Sequence, residues 1–441
     1  MSNAHPVTRP WYQRIGPGLI TACVVIGPGS ILTSSQVGAS NEYAMLWVVA
    51  VSVIFMLVYM TMGAKLGVAT TESPCDLIRR KAGRWLSILV GIGVFFVSAA
   101  FQSGNNIGVA AAFGAFIESN YVVAALVVVF NLLAILFLYV FKDMYKMLER
   151  LMMMFVALML ICFAINLFML QPNVADLAKG FVPSLGASGE LLPILGLVGT
   201  TFVITAAFYQ AYLVKQKGWS REEIKNGLID ARIGSGIMFL ITLMLMSTAA
   251  AGLYTGAEIK LLSVVDVATS LESTFGTSAK IIFCLGLFSA AYSSFLINSM
   301  IGGFIAADAL GYRCKPSDPA PRLLTTIALL TGMSVGLAVL VFDFNKAPTI
   351  IAAQAVTVVA APLIAGVLLW LTSSRDVMGE NVNGPVTKSL GAVGFVLLLA
   401  IATRTAIITL PNSIERYRGK PVETRHDRSP VTTLAIAMHE Q

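Results

Sequence analysis

Apolar residues along this chain come in long runs separated by short polar stretches. A helix crosses a bilayer in about 20 apolar residues, and eleven runs reach that length: 16–37, 44–66, 86–116, 121–141, 148–170, 191–214, 233–253, 278–309, 323–342, 348–372 and 389–410. The third and eighth exceed one bilayer thickness, which predicts tilt or extension beyond the membrane. The pattern gives an all-α polytopic membrane protein: one transmembrane domain over 1–410, then a polar tail over 411–441. The first run is interrupted. Residues 25–36 read VIGPGSILTSSQ, with Gly27, Pro28 and Gly29 inside the span. Glycine costs a helix about 1 kcal/mol and proline about 3, and in lipid each freed backbone group must find another partner. The stretch is either a tolerated kink or a place where bare backbone is wanted.

Composition agrees with the pattern. Apolar residues make up 57% of the chain and charged ones 12%, about half the charge of a soluble domain. No cleavable signal is expected, because the first fourteen residues are polar and basic and no small-residue cleavage site follows. The net charge of +7 reads as loop lysines and arginines that set topology, and not as a nucleic-acid surface. With the N-terminus in the cytoplasm, the inner segments hold twenty Lys and Arg, whereas the outer loops hold Lys179, Lys260, Lys280 and Lys346. That asymmetry predicts a multi-pass protein of the plasma or inner membrane, N-terminus inside. The tail disagrees: eleven spans put it outside, yet it carries Arg416, Arg418, Lys420, Arg425 and Arg428. The five cysteines, Cys23, Cys75, Cys162, Cys284 and Cys314, form no CxxC pair, so metal clips and disulfides are not expected.

Titratable residues inside spans usually mark ion pathways, and here they are few. Arg404 lies in the last span; Asp308 and Glu149 sit near span ends. Asp230, Arg232 and Glu149 are candidates for inner-side ion pairs that latch one conformation, with plain solvated charge as the alternative. The middles of spans one, three and six hold no acid, base or histidine. Adjacent amides at Asn105 and Asn106 need partners in an apolar span. Gly104 and Gly108 fit close helix packing, and any single threonine in span six can bond to its own preceding turn. No nucleophile–base constellation appears, so neither an enzyme nor a bound cofactor is expected.

Gly16-Pro17-Gly18, the Pro28-Gly29 break, Leu46-Trp47, Ala64-Lys65-Leu66-Gly67, Leu148-Glu149, Ser293-Ser294, and Gln354 with Pro362 together resemble the Nramp family of divalent-metal transporters. The resemblance implies a LeuT-type fold of about 11 helices. It has two inverted five-helix repeats, about 16–170 and 191–372, an extra helix at 389–410, and breaks in spans one and six. Substrate sites in such carriers lie where helices are broken. The family's chemistry does not follow its fold. Where Nramp proteins have Asp-Pro-Gly-Asn, this chain has Gly27, Pro28, Gly29 and Ser30. Where they have Met-Pro-His and a second histidine five residues on, it has Val203, Ile204, Thr205 and Gln210. A span-three Asp-x-x-Glu pair falls on Gln102 and Asn105, and a second span-ten glutamine on Ala360. Gln354 is kept.

Transition ions need a carboxylate, imidazole or sulfur in place of lost water, and even Mg²⁺ is usually held through carboxylates. The matching positions, together with Thr201, offer hydroxyls, amides and half-helix N-termini, which favour anionic groups. The substituted site therefore predicts an alternating-access secondary transporter for a small polar organic solute or anion. The alternative is an Nramp-type importer of Mg²⁺, Mn²⁺ or Fe²⁺, and the weakest reading is a non-transporting sensor. No candidate position titrates, so proton coupling is less expected than sodium, for which Ser293 and Ser294 with first-break carbonyls are the candidate site.

Overall fold

The computed structural model describes residues 15–141, 143–184, 192–256, 261, 263–342 and 346–409, and the regular structure among them is helical. Span one is split into α1 (Pro17–Val25) and α2 (Pro28–Asn41). Then come α3 (Leu46–Ala69), the short α4 (Pro74–Ala82), α5 (Arg84–Gly114), α6 (Asn120–Val140), α7 (Met144–Leu170) and the short α8 (Val174–Lys179). Span six is divided into α9 (Leu192–Thr201) and α10 (Ile204–Lys217). It is followed by α11 (Ile224–Leu253), α12 (Val264–Phe275), α13 (Thr277–Leu310), α14 (Pro319–Val341), α15 (Lys346–Ser373), the one-turn α16 (Arg375–Met378) and α17 (Pro385–Arg404). Among the described residues nine helices are long and apolar enough to cross a membrane, with α9 and α10 counted together. The bent pair α1–α2 makes a tenth. The remaining predicted run, 348–372, is α15, whose second half, Ala360–Ser373, is apolar. The polar tail at 411–441 lies outside the described residues.

The predicted boundaries hold except where helices run on into polar sequence. Span seven begins at 224 and not at 233, and span five at 144 and not at 148, because a helix propagates past the apolar limit when its ends are capped or packed. The long third and eighth runs are single helices of 31 and 34 residues, about 46 and 51 Å at 1.5 Å per residue. Apolarity gave no sign of α4. Its start is capped by Ser73, whose hydroxyl accepts from the Asp76 amide, and its last turn carries Arg79, Arg80 and Lys81.

The split helices occupy the centre. Every residue of α1 is buried, and span six is the most enclosed of the spans, whereas α6 and α17 turn mostly to the outside. Small residues let the central helices approach, the usual membrane solution to close packing. A side chain at Gly108 of α5 would fall inside the Pro28 ring, so the proline of the first break sits on that glycine. Gly332 and Gly336 of α14 receive Gln102 and Asn106 of α5 in the same way. Gly63 and Gly67 of α3 lie on the Ala207 and Ala211 carbonyls of α10.

These contacts order glycine substitutions within one helix. Gly108→Val should lower stability by about 1–3 kcal/mol through overpacking against Pro28. Gly93→Ala, with nothing within 4 Å, should be neutral or stabilising by up to about 1 kcal/mol. Thermal unfolding of the two purified variants checks the ranking.

Candidate functional site

Pro28 sets the geometry of the first break. It has no N–H to give the Val24 carbonyl four residues back, and its ring pushes that carbonyl aside. The chain bends by 59° between α1 and α2, with Gly27 extended. The freed carbonyls are then taken by hydroxyls. Ser294 Oγ of α13 donates to Val24 O at 3.1 Å. Ser30 Oγ faces Val25 O at 2.5 Å and Thr200 O at 3.0 Å, and its single proton is shared between them. Val25 O also accepts from the Gly27 amide at 3.1 Å. Ser30, at the position of a family ligand, thus ties the first break to the sixth span.

Around Gly27 the groups are neutral. A β-carbon there would lie 3.1 Å from Ser294 Oγ and 3.3 Å from Asn105 Oδ1, so the bare glycine faces one hydroxyl and one amide oxygen. Asn105 Nδ2 reaches Gln102 Oε1 at 3.4 Å, and Gln102 Nε2 has no protein partner among the described residues. Asn106 faces elsewhere: it donates to the Gln102 carbonyl at 2.8 Å and accepts from Asn131 of α6 at 2.7 Å. Its amide is structural. Asn298 is a site residue that sequence reasoning missed. It donates to Ser294 Oγ at 2.9 Å, and its buried Oδ1 has no protein partner among the described residues. Ser98 lies against Gly302 and Gly108 against Ala291, and this antiparallel register sets Gln102 opposite Asn298. The signal was available, since a buried amide in an apolar span needs a partner.

The sixth span is interrupted at Phe202 and Val203, but among the described residues only α1–α2 bends by more than 40°. Ile204 stands where a proline would force a sharper break. Thr200 bonds back to the Gly196 and Leu197 carbonyls, whereas buried Thr201 Oγ1 has no protein partner among the described residues. Val203 and Thr205 line a cavity of about 20 Å³ with Val97, Phe101, Phe202 and Leu398, room for about one water. Neither Gly27 nor Val203 caps the helix it precedes with a side chain, so two bare helix N-termini open at this level. Among the described residues no group of three or more His, Cys, Asp or Glu could hold a metal ion.

Three predicted residues stand apart. Gln210 accepts from Thr21 Oγ1 at 2.5 Å and donates to Asp230 Oδ2 at 3.2 Å, so it belongs to a polar cluster near the start of α1. Ser293 bonds to the Ala290 carbonyl of its own helix, which leaves Ser294 as the serine that meets the break. Gln354 lies in α15, but its side chain is outside the described residues. Of the expected inner ion pairs, Glu149 pairs with Lys217 at 2.5 Å, Asp230 is held by amides, and Arg232 is exposed. On the same face Asp308 accepts from Ser73 Oγ at 2.6 Å, the Cys75 amide at 3.1 Å and Tyr212 OH at 2.5 Å. Burial and this carboxylate push the Cys75 thiol well above its ordinary range, so it behaves as a packed residue.

A model of the natural resistance-associated macrophage protein-like family matches residues 18–407. The chain belongs to the Nramp family. Among similar proteins, the divalent metal cation transporter MntH of Pectobacterium carotovorum is 25% identical over 404 residues, covering 90% of this chain and 94% of that one. MntH of Listeria innocua is 25% identical over 395 residues, 86% of each. The Eremococcus coleocola manganese transporter shares the fold: a crystal structure of it superposes with a TM-score of 0.79 at 19% identity, covering 99% of this chain and 93% of that one. The Nramp assignment establishes a multi-pass membrane protein of LeuT-type fold and transporter ancestry.

The hydroxyls at the breaks should differ in weight. Ser30→Ala removes the donor shared by Val25 and Thr200 carbonyls and should cost about 1–3 kcal/mol, the range for stranding a buried acceptor. Thr200→Ala removes only bonds within its own turn and should cost less than about 0.5 kcal/mol. Chemical denaturation of both variants in one detergent measures the difference.

Proposed function

We propose that the chain is an Nramp-type carrier working by alternating access, with a neutral central site that takes a small polar solute or anion in place of a dehydrated transition metal. One observation supports this above the others. The N-terminus of α2, uncapped by a side chain, lies beside Asn105 and Ser294, which reach Gln102 and Asn298, and that of α10 lines the small cavity at Val203 and Thr205, with no carboxylate, imidazole or thioether at Gly27, Ser30, Val203 or Thr205. Unsatisfied backbone N–H groups and an uncompensated helix dipole favour an electron-rich group. A bare divalent ion there would meet a large uncompensated desolvation cost. The cavity beside Val203 admits water but no organic solute, so cargo entry requires α1–α2 or α9–α10 to move.

A second reading, divalent-cation transport, is favoured by the relatives, which are divalent metal cation transporters, and by the carbonyls that the breaks free from their helices. For it to hold, an ion must displace Ser294 from Val24 and Ser30 from Val25 and Thr200. We also propose that the face where α1 begins is cytoplasmic, in keeping with the basic loops. Sodium is a candidate coupling ion, at Ser294 and the Val24 carbonyl.

Titration calorimetry separates the two cargo readings. Wild-type protein should show no saturable Mn²⁺ binding in the micromolar range, and Gly27→Asp with Ser30→Asn should not create it. Adding Val203→Met and Thr205→His should, because the soft ligands that such ions need return with them. Micromolar Mn²⁺ binding by the wild type that is lost in Ser30→Ala would establish the metal reading. Uptake into proteoliposomes with and without a sodium gradient tests the coupling ion, and indifference to the gradient would remove sodium.

A further inference from the structure

Among the described residues the central site has no titratable group, but one lies against the first turn of α1. Asp230 of α11 is fully buried and forms no ion pair shorter than 4 Å among the described residues. Its Oδ1 accepts from the Gly16 amide at 2.8 Å, and its Oδ2 accepts from the Gly18 amide at 2.6 Å and from Gln210 Nε2 at 3.2 Å. Gln210 in turn accepts from Thr21 Oγ1. A carboxylate from span seven therefore caps the first turn of span one and reaches span six through one amide.

We propose that Asp230 is a coupling-proton site: ionised, it holds the start of span one shut against spans six and seven, and taking up a proton releases it. This rests on the alternating-access reading and supplies the proton acceptor that the central site lacks.

The chemistry follows from counting donors. Three N–H groups point at the two oxygens, and an ionised carboxylate accepts them all. A proton on Oδ1 meets the Gly16 N–H; a proton on Oδ2 meets the Gly18 N–H and the Gln210 amide. Gln210 can rotate to offer its oxygen instead, but that oxygen then leaves Thr21. Whichever oxygen is protonated, the bonds that fasten α1 weaken, because a neutral carboxyl keeps some acceptor capacity but is a poorer acceptor than a carboxylate. Glycines make the attachment close: a side chain at Gly18 would run into the Asp230 carbonyl, and one at Gly234 would meet the Gly18 carbonyl carbon at 2.6 Å.

Other charges around this corner hold fixed partners. On α7, Glu149 pairs with Lys217 of α10, and Lys217 Nζ also reaches the Ile15 carbonyl at 3.4 Å. Lys217 is the cation whose field reaches Asp230. Tyr145 of α7 lies within its field, its hydroxyl without a protein partner among the described residues. Tyr209 of α10 is buried nearby, α3 brings Lys65, α1 brings the Cys23 thiol, and Arg232 on the same helix is exposed. Protonating Asp230 thus takes one negative charge from a corner otherwise balanced by Glu149 and Lys217.

Cys23, buried on α1, is a native reporter once the other four cysteines are replaced by alanine. Its labelling by a small polar maleimide is compared between otherwise wild-type protein and Asp230→Asn at each pH, which cancels the thiol's own titration. Asparagine aims an N–H at the donors and mimics the protonated state. At pH 8 the parent should label at least tenfold more slowly than Asp230→Asn; at pH 5 the two should converge as the parent's latch opens. A ratio that stays constant across pH, or equal rates at pH 8, overturns the proposal. Should Asp230→Asn not fold, hydrogen exchange on wild-type protein answers the same question. The peptide covering Gly16 and Gly18, normalised to one within α5, should lose at least tenfold protection between pH 8 and pH 5, and unchanged protection overturns the proposal. Labelling and exchange read the position of α1 and not cargo, so the latch can fail while the transport reading stands, and the reverse.

Discussion

The missing amide hydrogen of Pro28 is the constraint on which the centre of this molecule depends. A membrane interior has no water to satisfy a stranded carbonyl, so the break needs hydroxyls at fixed places. Ser294 takes Val24 O, and Ser30 takes Val25 O and Thr200 O. Because Ser30 has one proton for two carbonyls from two spans, the first and sixth spans are fastened where both are interrupted. The break can open only if something else takes over those carbonyls or if the bundle moves as a unit.

Close packing carries that constraint outward. Pro28 rests on Gly108, and α5 is seated on α14 through Gln102 and Asn106 against Gly332 and Gly336. The amide side chains of α5 are therefore positioned by the same contacts that hold the proline. Charge is kept away from this neutral middle. The carboxylates of Glu149, Asp230 and Asp308 lie toward the face where α1 begins, each engaged by a lysine, a hydroxyl or backbone N–H groups. On the proposed reading, cargo recognition at the centre is dipolar and control of opening at one end is ionic.

The membrane class and the spans were legible because they rest on apolar run length, and the first break because glycine and proline announce themselves. The milder interruption at Phe202 and Val203 carries no such residue and was found only through the resemblance to Nramp proteins. Which polar side chains share a cavity was less legible. Asn105 and Ser294 do converge on Gly27, with Gln102 behind Asn105, but Gln210 turns to Thr21 and Asp230, and Ser293 bonds to its own helix. Rotation about a helix axis decides this, and it is fixed by small-residue contacts between distant helices that one span's sequence does not reveal. Asn298 carries the same signal as Asn105 and Asn106, a buried amide that needs a partner in an apolar span. The helices α4 and α12 were missed because their stability comes from capping at Ser73 and Ser263 and not from apolar length.

Family membership and cargo are separate questions here, and the residues show why. The features that carry the fold are small residues and prolines at helix crossings: Gly16 and Gly18 against Glu149 and Asp230, Gly67 against Ala211, Pro28 against Gly108. The features that would carry metal chemistry are single side chains, replaceable without disturbing any crossing. Exchanging a ligand for glycine, serine or valine removes charge but leaves backbone geometry intact, so a fold can persist while its site changes class. What then limits the cargo is the balance of dipoles in the space that remains. On the proposed reading, the helix N-termini contribute positive potential with no acid at Gly27, Ser30, Val203 or Thr205 to oppose it, so a bare cation would lose its hydration for little return, whereas a group with lone pairs would meet donors.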